Sequence, residues 1–324
     1  MRVLVTGATS CIGAAVVDRL VARGDEVTVL QRRSAAREVA EVLGDVGEPS
    51  VVGRAVEGQD AVVHLAAKVD VVGPWEDFER VNVGGTVRLL ETARGAGVGR
   101  FVHVSSPSVA HGGAALVAAD AGAADPDATR GHYSTSKAMA EREALARAGS
   151  GFDVVAIRPH LVWGPGDTQL VGRIVERARQ GRLATIGSGA ALIDSTYVDN
   201  AADALVAAVD RAPVASGQAL VVSNGEPRPV RELLERIVGA AGLTMPGLKV
   251  PGRVAFVGGL AVERAWSGLG RDDEPPMTSF LAEQLTTAHW FDQRRTRELL
   301  AWEPVVPLAE GFERLERWFE EQRT

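Results

Sequence analysis

Near its start the chain carries a short apolar run, Val3-Leu4-Val5. It passes through Thr6-Gly7-Ala8-Thr9-Ser10-Cys11-Ile12-Gly13 into an Ala- and Val-rich segment, 14–22. A run that is apolar at every position suits a strand covered on both faces, as in a parallel sheet. Parallel neighbours need a crossover, so strand, turn and helix in that order point to an α/β layer structure. A glycine turn at such a junction lets main chain approach a pyrophosphate, while helix N-terminal N–H groups face its charge. The spacing is G-x-x-S-x-x-G, with Ser10 where a middle glycine is usual, which crowds that approach slightly. A tight turn with no ligand is the plain alternative, and later segments bear on it.

The same grammar continues. Glu26 to Leu30 reads as a second strand, ending at Gln31-Arg32-Arg33. An acidic residue there would accept bonds from an adenosine ribose; two arginines suit a 2′-phosphate instead, so NADP(H) is expected over NAD(H). Leu43-Gly44-Asp45-Val46 reads as a strand end and turn, where Asp45 can bond an adenine amino group. Ala61 to Ala67 is a buried strand that closes on the small Ala66 and Ala67, which leaves room at a switch point of an open sheet. Asn82 enters a helix, Phe101 to Ser106 is a strand ending in two hydroxyls, and 112–130 reads as a loop. Val154 to Ile157 is the next strand, broken at Arg158-Pro159. The expected fold is α/β, a doubly wound parallel sheet. Helices are expected at 169–181, 199–212, 229–241, 278–288, 292–301 and 307–323, with Asp199 and Asp292 as N-caps and Pro229 and Pro307 in first turns. The division that follows is a sheet domain over 1–165 plus roughly 196–225, and a smaller, mainly helical lobe over 166–195 and 226–324.

A chain of 324 residues is long enough for such a domain with a lobe. Its net charge of −7 argues against a nucleic-acid surface. A single cysteine, Cys11, excludes an internal disulfide framework and a cysteine-rich zinc site, and no metal site is expected. The first apolar run is too short for a signal peptide, and no stretch approaches the ~20 apolar residues of a membrane span, so a cytoplasmic protein is expected.

One further stretch carries chemistry: His132-Tyr133-Ser134-Thr135-Ser136-Lys137. On a helix, positions four apart share a face, so Tyr133 and Lys137 point the same way. An ammonium beside a phenol favours the phenolate, which is expected to move the Tyr133 pKa from about 10 towards neutrality and suit it to proton transfer. A surface helix that carries Tyr-x-x-x-Lys by chance is the bland reading.

These segments together resemble the extended short-chain dehydrogenase/reductases, over nearly the whole chain. The matching stretches are TGATSCIG at 6–13, HLAA at 64–67, NVGGT at 82–86, SS at 105–106, YSTSK at 133–137, RPHLVWGPG at 158–166 and TYVDNAADA at 196–204. Within that family the chain looks most like the 3β-hydroxysteroid dehydrogenases and bacterial 2-alkyl-3-oxoalkanoate reductases. The resemblance implies a Rossmann-type sheet, Tyr133 as general acid/base, Lys137 as its partner and as holder of the nicotinamide ribose, and Ser106 (with Ser105 as fallback) orienting the substrate oxygen. It places Gly7, Thr9, Ser10, Cys11, Ile12 and Gly13 at the pyrophosphate, Arg32 and Arg33 at the 2′-phosphate, and Asp45 and Val46 at the adenine. Leu65, Ala66, Ala67 and Asn82 would lie along the cofactor, and Pro159 and His160 near the carboxamide. The family often forms homodimers.

Departures separate the branches. Nucleotide-sugar epimerases and dehydratases typically carry R-P-x-N-V-Y-G-P and R-D-[FY]-x-x-V-x-D; here Leu161 replaces the asparagine and Ile193 the arginine. An apolar pocket disfavours a charged nucleotide and accepts lipid-like carbon. Residues 250–269, with Val254, Phe256, Val257, Leu260 and Trp266, can form such a wall or pack as core. His160 can touch substrate or bond to backbone, and Lys68 can hold a phosphate or a substrate acid, or simply be solvated. The expected activity is NADP(H)-dependent interconversion of a 3-oxo and a 3-hydroxy group on a small hydrophobic substrate. The alternatives are a nucleotide-sugar epimerase or dehydratase, and a non-catalytic NADP-binding sensor.

Overall fold

A computed structural model describes residues 1–34, 37–70, 72–110, 113–269, 275 and 277–323. The first half alternates strand and helix: β1 Arg2–Thr6, α1 Cys11–Ala22, β2 Glu26–Gln31, β3 Ala40–Leu43, α2 Pro49–Val56, β4 Ala61–His64 and α3 Trp75–Phe78. A π-helical turn, Glu79–Gly84, then runs into α4 Gly85–Gly95, followed by β5 Arg100–Val104, β6 Leu116–Ala119, α5 His132–Ala146 and β7 Asp153–Pro159. The second half holds β8 Val162–Trp163, α6 Val171–Arg179, β9 Thr185–Ile186, β10 Leu192–Ile193, β11 Thr196–Tyr197, α7 Val198–Ala215 and β12 Ala219–Val222. It ends with β13 Arg228–Pro229, α8 Val230–Ala240, β14 Lys249–Val250, α9 Gly252–Gly268, α10 Ser279–Thr286, β15 His289–Phe291, α11 Arg294–Leu300 and α12 Leu308–Glu321.

Seven parallel strands form the central sheet in the order β12-β7-β5-β4-β1-β2-β3. Alternation within β1 shows why its run is apolar throughout. Val3 and Val5 pack towards α1 and α7, whereas Leu4 packs towards α2, α4 and α5. The chain winds outward from β1 to β3 and then returns to place β4 on the other side of β1. The switch point therefore lies between the carboxyl ends of β1 and β4, where open α/β sheets bind ligands.

A second core joins α6, α8 and α12 around Trp163 and Tyr197, with Trp163 stacked on Phe312 at 4.3 Å between ring centroids. Helix α9 packs on α10 through a small apolar group that includes Ala255 and Ala282. Several features differ from the sequence reading, and β7 continues through Arg158 and Pro159, where that reading broke it. The stretch read as a loop, 112–130, contains β6, an edge strand paired with β15 through Leu116–His289; Gly112 itself is outside the described residues. Its partner lies some 170 residues away, which no local pattern reveals. Residues 294–302, expected in the lobe, send Leu300 and Trp302 into the core under the central sheet. Asp199 falls within the first turn of α7 and pairs with Arg19 and Arg314 rather than capping it. Asp292 accepts from the Arg294 N–H at 2.9 Å, just ahead of α11. Among the described residues no helix is long and apolar enough to cross a membrane.

Candidate active site

At the end of β1 the chain turns at Gly7, whose φ is +74°; a Cβ there would sit 2.9 Å from the Ala66 nitrogen. Only glycine lets this turn close against the exit of β4. Ser10 spends its hydroxyl on the turn, donating to the Gly7 carbonyl at 2.9 Å and capping α1 by accepting from the Gly13 N–H at 3.0 Å. This engagement relieves the crowding expected from a side chain at this position. The N–H groups of Cys11 and Ile12, in the first turn of α1, stay available to an anion. The Cys11 sulfur points elsewhere, donating to the Pro165 carbonyl at 3.4 Å. Burial, reinforced by Asp167 and Asp199, pushes its thiol up to about 12, so it stays protonated and unreactive.

Arg32 and Arg33 are exposed just beyond β2. Asp45 accepts from the Gly47 N–H at 2.7 Å and shapes the turn after β3, while Val46 is buried against Gly85. Leu65, Ala66 and Ala67 line the exit of β4, half-buried.

A buried relay fixes this exit. Thr86 donates to the Asn82 carbonyl at 2.6 Å, so its oxygen accepts from His64 Nε2–H at 3.0 Å. His64 Nδ1 then accepts from the Thr6 hydroxyl at 2.8 Å, and Thr6 accepts from the Ala66 N–H at 3.0 Å. Burial first, then the charge of Lys137, holds His64 down at about 3, which keeps this neutral tautomer through the neutral range. The Asn82 amide binds both the N–H and the carbonyl of Lys68, at 2.7 and 3.0 Å, and donates to Ser136 at 2.9 Å; Ser136 in turn donates to the Tyr133 carbonyl at 2.9 Å. The sequence reading included Asn82 and missed Thr6, His64, Thr86 and Ser136. All four lie inside the stretches that carry the family resemblance, at 6–13, 64–67, 82–86 and 133–137.

Tyr133 and Lys137 lie one turn apart on α5, with Lys137 at the carboxyl end of β5. The Tyr133 phenol is close enough to Ser106 for that side chain to lower its pKa. Ser106 also shares a bond with the Ser108 hydroxyl at 2.9 Å, whereas Ser105 is buried with its N–H on the Ile157 carbonyl. Of the paired serines, Ser106 faces the phenol. The expected direction of the tyrosine's pKa is overturned: burial raises it and only Ser106 lowers it. The Lys137 ammonium donates to the Val104 carbonyl at 2.6 Å. Burial lowers Lys137 to about 8, against the stabilising charge of Glu141.

Pro159 ends β7. His160, read as a neighbour of the carboxamide, turns its buried ring to His289 at 3.1 Å between nitrogens and to Phe291 at 5.1 Å between centroids. Leu161 follows in the left-handed region, φ 44°, a conformation asparagine adopts readily and leucine at some cost.

The open helix N-terminus, the exposed arginines and the small residues at the switch point fit a dinucleotide. Residues 3–223 match the model of the family described as "NAD dependent epimerase/dehydratase family". The chain belongs to that family. Among curated members of this epimerase/dehydratase family it is 39% identical to a 2-alkyl-3-oxoalkanoate reductase of Stenotrophomonas maltophilia (strain K279a), over 97% of this chain and 98% of the relative. It is 31% identical to a 3-beta-hydroxysteroid dehydrogenase of Mycolicibacterium neoaurum, over 96% and 89%. Among solved structures it superposes on a dTDP-glucose 4,6-dehydratase of Streptomyces venezuelae with NAD bound, at TM-score 0.76 and 25% identity, covering 100% and 98%. The chain is an NAD(P)-dependent oxidoreductase acting on C=O and CH–OH groups, of the extended short-chain dehydrogenase/reductase kind.

Proposed function

We propose that this enzyme is an NADP(H)-dependent reductase of a 3-oxo group on a hydrophobic substrate, a β-keto acid or a sterol-like ketone, able to run in reverse on the 3-hydroxy compound. The observation that carries the proposal is the spacing of Tyr133 and Lys137 on α5, with Lys137 seated on the end of β5 and Ser106 close enough to the phenol to lower its pKa. A bound nicotinamide dinucleotide supplies the hydride. Tyr133 donates its proton to the carbonyl oxygen as the carbon is reduced, and Ser106 gives that oxygen a second hydrogen bond. Lys137, held by the Val104 carbonyl, would hold the ribose hydroxyls of the dinucleotide. The first turn of α1 binds the pyrophosphate, and Arg32 and Arg33 bind the 2′-phosphate.

Leu161 and Ile193 support a hydrophobic substrate over a sugar nucleotide, since both stand where sugar-nucleotide enzymes carry a polar group. Leucine is kept at 161 even though its backbone conformation would favour asparagine. The resemblance to the 2-alkyl-3-oxoalkanoate reductase over almost the whole of both chains supports the same class. Following the nicotinamide absorbance with panels of 2-alkyl-3-oxo acids and 3-ketosteroids tests it; cofactor oxidation with neither panel refutes the substrate class.

Cofactor choice has its own test. Charge-assisted contacts of about 1.5–3 kcal/mol each hold a 2′-phosphate, so changing Arg32 and Arg33 together to serine lowers the NADPH-to-NADH ratio of kcat/KM by about tenfold or more. An unchanged ratio, measured with saturating substrate, refutes the NADP(H) preference.

A further inference from the structure

A cation that proton transfer does not use is tied through Asn82 and Ser136 to the helix that carries Tyr133. Lys68 follows the run that lines the exit of β4, and Asn82 grips its main chain at both N–H and carbonyl. The same amide bonds Ser136, one turn beyond Tyr133 on α5, so the root of Lys68 is tied to the helix that bears the phenol. The side chain then crosses the face of Phe78, with Nζ 5.2 Å from the ring centroid. It ends against Gly73, where a Cβ would lie 3.4 Å from Lys68 Cε and 3.7 Å from Nζ. The Gly73 carbonyl bonds His132 Nδ1 at 3.0 Å, and His132 precedes Tyr133. Lys68, Gly73 and His132 thus form a contiguous wall, and Tyr133 follows His132 on α5.

The other cations around this wall are committed. Lys137 is on the Val104 carbonyl, Arg158 is encased with Glu141, and Arg130 is held by Glu283 at 2.8 Å. Lys68 is paired only loosely. Its partner Asp70, at 2.7 Å, has a side chain 59% exposed against 22% for the lysine. An ion pair that exposed is weak, and another carboxylate can replace it.

We propose that Lys68 recognises the acid group of the substrate, with Asp70 standing where that carboxylate binds, so that the enzyme selects 3-oxo acids over neutral ketones. The inference rests on the carbonyl-reductase reading above. A carboxylate in a 3-oxo acid is two bonds from the carbonyl carbon, so a cation whose main chain is tied to the helix of Tyr133 fixes which carbonyl meets the phenol.

The test compares a 2-alkyl-3-oxo acid with its methyl ester, using NADPH and the full chain. Lys68→Met is expected to lower kcat/KM for the acid by at least about tenfold more than for the ester, chiefly through KM, and Lys68→Arg to recover most of the difference. Asp70→Asn removes the competing carboxylate and lowers KM for the acid alone. Equal losses on acid and ester in Lys68→Met overturn the assignment, as does a wild-type protein that reduces the ester as well as the acid. Wild-type protein that reduces neither compound overturns the carbonyl-reductase reading on 3-oxo acids together with this inference.

Discussion

Tyr133→Phe lowers kcat for carbonyl reduction by about 10²–10⁴-fold, the range attributed to a positioned general acid. Cofactor binding, followed by fluorescence of the reduced nicotinamide, persists, because phenylalanine keeps the ring and removes only the hydroxyl beside Ser106. Full activity in the variant refutes the mechanism. The same site fixes a pH profile. Burial raises the Tyr133 pKa above its ordinary value of about 10, so the acid form needed for reduction persists through the neutral range. Lys137, lowered to about 8, is charged below that pH and loses its charge above it. The expected kcat/KM for reduction is therefore level at neutral pH and falls as pH rises through about 8. Oxidation of the alcohol needs the phenolate and favours higher pH. A reduction rate that climbs steadily with pH contradicts this assignment.

Removing the guanidinium in Arg158→Met destabilises the fold by about 3–5 kcal/mol, as expected when one member of a buried pair is left alone. Arg158 and Glu141 are 0% and 1% exposed, and the guanidinium donates to the carboxylate at 2.5 and 2.8 Å. It also donates to the carbonyls of Ala121 and Gly122, so one side chain joins the end of β7, the helix of Tyr133 and the segment after β6. Urea unfolding measures the cost, and a loss below about 1 kcal/mol would place this pair among exposed ones in energetic terms. Converting both residues to apolar ones of similar volume recovers much of the stability, since no charge is then stranded. Glu141→Gln has a separate signature. Glu141 raises the Lys137 pKa, so its neutralisation moves the alkaline fall in activity to lower pH.

Local pattern was enough for the parts of this protein built from neighbours in sequence. The uniform apolarity of Val3–Val5, the glycines of the first turn and the four-residue spacing of Tyr133 and Lys137 each encode a strand, a turn and a helix face through backbone geometry alone. The order of those elements then gave the parallel sheet and its switch point. Folding decided what depends on burial and on partners far away in the chain. It put Ser106 rather than Ser105 on the phenol, turned His160 to His289, paired Arg158 with Glu141 and set Lys68 beside the helix of Tyr133. It also reversed the expected pKa shift of Tyr133, because desolvation is a property of the packed cleft, not of a helix seen by itself. Periodicity fixes which face of an element a residue occupies. What that face meets, and how dry the meeting place is, is set only when the chain closes on itself.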